Sequence, residues 1–112
     1  MSLRRFEKAM TMMRASDPGL REGGFDFLRE HADAYVAELA AEFDGETDHG
    51  LRCWLLELLA EARSPDALPV LAVQLGADDE SLRFWAVRGL EMLDTRESRE
   101  ALDRARANGW IE

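Results

Sequence analysis

Apolar residues recur along this chain at steps of three and four. Val36, Leu39, Ala40 and Phe43 make one series, Leu68, Leu71, Ala72 and Leu75 a second, and Leu82, Ala86, Leu90 and Leu93 a third. Because each residue of an α-helix turns by ~100°, such steps lay a stripe down one side of a helix. No stretch alternates apolar and polar residues with the period of two that a strand needs. The segments between the series, among them "FDGETDHG" and "LGADDES", carry Gly and Asp and read as short linkers. The pattern predicts seven helices, at Leu3–Ala15, Pro18–His31, Ala34–Phe43, His49–Ala62, Pro65–Leu75, Glu80–Leu93 and Arg96–Asn108.

The helices come in pairs with a fixed period. Leu-Arg stands at Leu20-Arg21, Leu51-Arg52 and Leu82-Arg83, each pair 31 residues after the last. An Asp precedes each Leu by three residues (Asp17, Asp48, Asp79), and Leu28, Leu59 and Leu90 keep the same step. A second series, Ser2, Asp33, Ser64 and Thr95, has the same period. Residues of these types cap helix N-termini, because a short side-chain oxygen reaches the first free amides. Pro18 and Pro65 follow two of the caps, at the first helical position where the missing N–H costs nothing. Two cap series offset by about half a period describe helix–turn–helix units in tandem. The expected architecture is all-α: a single domain over 1–112, an α-solenoid with repeats at about 2–31, 33–62 and 64–93 and a half repeat at 95–108.

The residues that carry this pattern resemble the HEAT-like repeat family, in particular the short bacterial type of the phycobilisome lyase subunits. In "DESLRFWAVRGLEML", Asp79, Leu82, Arg83, Ala86, Gly89, Leu90 and Leu93 match that motif's second helix, and "SPDALPVLAVQL" is similar to its first. The likeness is strong over 64–93, fair over 33–62, where Leu55 and Leu58 replace small residues, and weak over 2–31, where Gly23-Gly24 interrupts. The resemblance implies a scaffold rather than a particular activity. It also implies that Arg21, Arg52 and Arg83 pair with Asp17, Asp48 and Asp79 as a ladder tying the repeats together.

Charge narrows the partners. The net charge is −9, with 14 basic and 23 acidic side chains. It is uneven: residues 1–29 carry +2, residues 30–80 carry −11 and residues 81–112 are neutral. Nucleic acid and anionic membrane are bound by clustered Lys and Arg, so neither is expected as a partner. The acidic belt serves solubility or faces a basic protein. No apolar run approaches the ~20 residues of a membrane span. The single cysteine, Cys53, and the absence of an apolar stretch after "MSLRRFEKAM" fit a cytoplasmic protein. The Arg- and Ala-rich composition with one lysine, Lys8, is that of a GC-rich bacterial genome.

Solenoids of this kind bind through the surface lined by their second helices. With Leu82 at the centre of the buried stripe, Phe84 falls on the far side, and Trp85, Arg88 and Met92 at the edge of the stripe and beyond. One period earlier the last three correspond to Trp54, Glu57 and Glu61, and before that to Gly23, Asp26 and Glu30; Glu22 and Cys53 share the position of Phe84. The expected face is acidic at Glu22, Asp26 and Glu30, mixed at Trp54, Glu57 and Glu61, and aromatic with Arg at Phe84, Trp85, Arg88 and Met92. Trp and Arg are common interface anchors. Trp54 and Trp85 either stand on that face or seal the repeat interface; Phe84 is expected to be exposed.

Catalytic signals are weak. His31 and His49 fit no metal or triad spacing, and Cys53 lacks an adjacent histidine and lies in an acidic stretch that would raise its thiol pKa. Glu57 with Glu61, and Glu38 with Glu42, read as solvated charge on helix faces. No catalytic, metal or cofactor set is expected. The expected function is therefore a non-catalytic protein-interaction module for a basic protein partner, with an immunity or inhibitor protein against a cationic toxin as its concrete form. A homodimer through the same face is the alternative assembly. An accessory subunit of a lyase-like enzyme is a further alternative, and so is a protein like the HEAT-type alkylpurine DNA glycosylases, which length and charge disfavour.

Overall fold

The computed structural model describes residues 3–112. Among them are seven α-helices and two 3-10 turns, and no strand. The helices are α1 (Leu3–Met13), α2 (Pro18–Glu30), α3 (Val36–Gly45), α4 (His49–Glu61), α5 (Leu68–Gln74), α6 (Glu80–Leu93) and α7 (Arg96–Ala107). They pack as successive hairpins, α1 on α2, α3 on α4 and α5 on α6, with α7 closing against α5 and α6. The result is a short row, 42 × 27 × 20 Å, and not a closed bundle.

The repeat is visible in the backbone. Asp17, Asp48 and Asp79 cap α2, α4 and α6, accepting the amides of Leu20, Leu51 and Leu82 at 2.9, 3.0 and 2.9 Å. Their φ/ψ pairs, −76/121°, −75/122° and −78/124°, are nearly identical. Thr95 caps α7 in a reciprocal box with Ser98. The expected cap Ser2 lies outside the described residues.

Two first helices begin differently from expectation. Asp33 is not a cap: it sits inside a 3-10 turn at Ala32–Ala34, and Tyr35 precedes α3 with no side-chain cap. Packing decides this, because Ala32 and Tyr35 are both buried and Tyr35 stacks on Phe6 of α1 at 5.3 Å. In the third unit, Ser64 caps a 3-10 turn at Pro65–Ala67, and α5 starts only at Leu68. Pro69 has no N–H to give the Pro65 carbonyl, so that carbonyl accepts the Leu68 amide three residues on, which is the 3-10 bond.

Helix α4 is the keystone of the core. Leu55, Leu56, Leu58 and Leu59 are all fully buried, because α4 is wedged among α2, α3, α5 and α6. That explains large residues where the third unit has Ala86 and Gly89. Gly89 in turn lets α6 approach: a Cβ there would come within 2.9 Å of Ala60 and Leu71 side-chain carbons. Gly24 does the same for α1 and α2, since a Cβ would lie 2.5 Å from the Ala9 carbonyl oxygen. Leu93, expected in the buried stripe, is only half-buried at the last turn of α6.

The expected Arg–Asp ladder is corrected. Arg52 donates to the carbonyls of Phe43 and Glu46 at 2.9 and 3.1 Å, and Arg83 to those of Ala77 and Asp78 at 2.7 and 2.8 Å. Each guanidinium thus fastens a second helix to the backbone that leads into it, where the helix end and linker leave carbonyl lone pairs to be filled. The aspartates are already committed to capping. The arginine–carboxylate pairs that join successive units come from other positions: Arg14 with Glu42 and Glu46, and Arg29 with Glu61.

Candidate protein-docking face

The second helices α2, α4 and α6 carry all the expected site residues. On α2, Glu22, Asp26 and Glu30 are exposed. On α4, Trp54 is half-buried against Phe25 of α2, ring centroids 4.8 Å apart. Glu57 and Glu61 are also half-buried. Glu61 accepts from Arg29 at 3.3 Å. Burial first, and Glu61 second, push the Glu57 carboxyl above its ordinary pKa. On α6, Phe84 is 56% exposed, as the wheel predicts, and Arg88 is exposed beside it. Trp85 is half-buried with its ring edge-on to Phe84, 5.0 Å between centroids at 85°. Met92 packs against the edge of the core.

These residues do not form one continuous groove. Phe84, Val87, Arg88 and Glu91 repeat at three and four steps opposite the buried stripe, and they line an open groove of about 620 Å³. Trp85 and Met92, nearer the stripe, stand aside from it. A second groove of about 320 Å³ separates α2 from α4, with Arg21, Glu22, Asp48 and Trp54 in its walls. Asp26, Glu30, Glu57 and Glu61 line neither groove and form an acidic strip along α2 and α4.

The far wall of the larger groove is a residue the sequence analysis passed over. Trp110, 51% exposed, lines that groove together with Phe84. The chain turns back there at Gly109, with φ at +76°. The Gly109 amide bonds the Arg106 carbonyl at 3.0 Å and the Trp110 amide bonds the Ala105 carbonyl at 2.9 Å. That is a Schellman closure of α7. The signal was present as Asn108-Gly109 followed by a large apolar residue, which marks a helix end whose next side chain folds back. Trp110 covers Gly76, its ring 3.5 Å from where a Cβ would stand.

The structure also corrects the isolation expected of Cys53. His49 and Cys53 are four apart on α4, so they share a face, and Cys53 Sγ lies 3.7 Å from His49 Nε2. Asp79 Oδ2 meets the same nitrogen at 2.5 Å. Burial, then the Asp79 charge, raises the Cys53 thiol pKa. The Asp79 carboxyl is held below its usual range, chiefly by the Leu82 amide.

The sequence pattern that defines HEAT repeats matches residues 36–110, well over half of the chain and from the start of α3 to Trp110. The chain belongs to the HEAT repeat family. No curated protein matches it. HEAT repeats are commonly scaffolds for protein interaction, presenting stacked helices as an extended surface. The unit α1–α2 lies outside the matched residues. Among the described residues no helix of this HEAT repeat protein is long and apolar enough to cross a membrane.

Proposed function

We propose that this HEAT repeat protein is a non-catalytic module that holds a basic protein partner, with Phe84, Arg88 and Trp110 as anchor and the acidic strip of α2 and α4 as the steering surface. The observation that carries the reading is that two half-exposed aromatic side chains, Phe84 and Trp110, line one open groove of about 620 Å³. Large exposed aromatics are expensive to leave in water and are the usual anchors of interfaces. The carboxylates of Glu22, Asp26, Glu30, Glu57 and Glu61 would raise the rate of encounter with Lys- and Arg-rich surfaces, and the rings would set the dissociation rate. The concrete form is an inhibitor or immunity protein that neutralises a cationic toxin domain. Affinity capture from the native host, followed by titration of the purified binary complex, tests it. The expected result is a partner of basic pI, with association slowed by salt and affinity reduced at least tenfold by Phe84→Ala with Trp110→Ala, while circular dichroism is unchanged. Unchanged affinity of that double variant refutes the anchor. Sedimentation of the protein alone as a dimer that the same variant dissociates would place a second copy on this face instead.

A further inference from the structure

Asp79 has a structural explanation shared with two counterparts, since Asp17, Asp48 and Asp79 all cap second helices. His49 and Cys53 have no such counterparts. One period away their positions hold Pro18 and Glu22 on α2, and Glu80 and Phe84 on α6. His49 is exposed and Cys53 packs half-buried at the edge of the core, and their donor atoms converge with a carboxylate from the next unit, all within 4.8 Å of one another. Asp79 Oδ1 is tied to the Leu82 amide at 2.9 Å, so Oδ2 is the oxygen turned toward His49.

We propose that His49, Cys53 and Asp79 form a site for a divalent transition-metal ion, Zn²⁺ by donor chemistry, that staples the N-terminal end of α4 to that of α6. One imidazole nitrogen, one thiolate and one carboxylate suit zinc, whereas Mg²⁺ and Ca²⁺ take oxygen alone. At tetrahedral angles, Zn–N and Zn–S bonds of about 2.0 and 2.3 Å put nitrogen and sulfur about 3.5 Å apart. The 3.7 Å between His49 and Cys53 is already near that edge. The His49–Asp79 contact must open by less than about 1 Å, a rotation of two partly exposed side chains. Binding forms Zn–N, Zn–S and Zn–O bonds and releases the thiol proton and displaced waters to solvent; nothing is oxidised or reduced. Thiolate and carboxylate balance the dication, and Asp78 and Glu80 beside the site add to its attraction for cations. Three protein ligands leave a fourth position open to water or to a donor from outside.

Titration of the full chain with Co²⁺, followed by Zn²⁺ in competition with a chromophoric chelator, tests the site. The expected result is one ion per chain, with a thiolate-to-cobalt charge-transfer band and the strong visible bands of tetrahedral cobalt, both lost when Zn²⁺ displaces it. Cys53 is the chain's one cysteine, so the thiolate band reports it alone. Cys53→Ser should abolish the band. His49→Gln and Asp79→Asn should each weaken Zn²⁺ binding at least tenfold, Asn keeping the helix cap. His31→Gln should bind like the parent. A cobalt complex without a thiolate band, a Cys53→Ser affinity within threefold of the parent, or binding only with dimer formation would overturn the site.

Discussion

The Arg52 guanidinium shows how one residue closes a hairpin. It bonds two backbone carbonyls and lies 4.1 Å from the centre of the Phe43 ring. Charge-assisted bonds to part-buried carbonyls are worth more than exposed ion pairs, because removing the guanidinium leaves desolvated oxygens short of a donor. Arg52→Met should therefore cost about 2 kcal/mol in chemical denaturation, whereas Arg96→Met, which removes an exposed pair with Glu100, should cost less than about 0.5 kcal/mol. Cys53 makes a second residue-scale prediction. Its raised thiol pKa leaves less thiolate near neutral pH, so iodoacetamide should modify it more slowly than a free cysteine in the unfolded chain.

At the scale of elements, caps and close approaches carry the argument. Asp48 accepts an amide and Asp33 accepts none, although both have the same standing in the 31-residue pattern. Asp48→Ala should cost about 1 kcal/mol, and Asp33→Ala should stay within about 0.5 kcal/mol, measured by thermal or urea unfolding of the two variants side by side. Gly89 sits where α6 meets α4 and α5, so Gly89→Ala should cost about 1–3 kcal/mol by overpacking. The same substitution at Gly45, whose Cβ position meets nothing, should be close to neutral or stabilising.

For the whole molecule, pH separates two carboxylates whose pKa shifts run in opposite directions. Glu46 accepts from Arg14 and from the backbone of Thr47 and Asp48, which lowers its pKa, the Arg14 bond being the largest cause. Its stabilisation is complete above the ordinary carboxylate pKa and is lost as pH falls through the lowered one. Glu57, raised by burial and by Glu61, works the other way: its ionised form is penalised in the fold, and acidification through its raised pKa relieves that. Glu57→Gln should thus raise the melting temperature at pH 7. Glu46→Gln should lower it there and flatten the loss of stability on acidification, read from urea midpoints at a series of pH values. The acidic net charge adds repulsion that moderate salt screens, so the gain from Glu57→Gln is largest at low ionic strength.

Local chemistry made much of this protein legible in its residues alone. The seven helices, the all-α row, the aspartate caps and the exposure of Phe84 follow from periodicity and capping, which depend on neighbours within a few positions. What the fold decided involves partners far apart in sequence. Tyr35 is drawn under α1 and shifts the start of α3. Arg52 and Arg83 take carbonyls rather than aspartates, because the helix-leading segment comes back alongside them. Trp110 is turned into the groove that Phe84 lines through a left-handed glycine. Asp79 reaches His49 only because stacking sets α6 beside α4. Periodicity names the side of a helix a residue occupies; which groups meet there depends on distances between helices, and those are set by packing volumes such as the missing Cβ of Gly89.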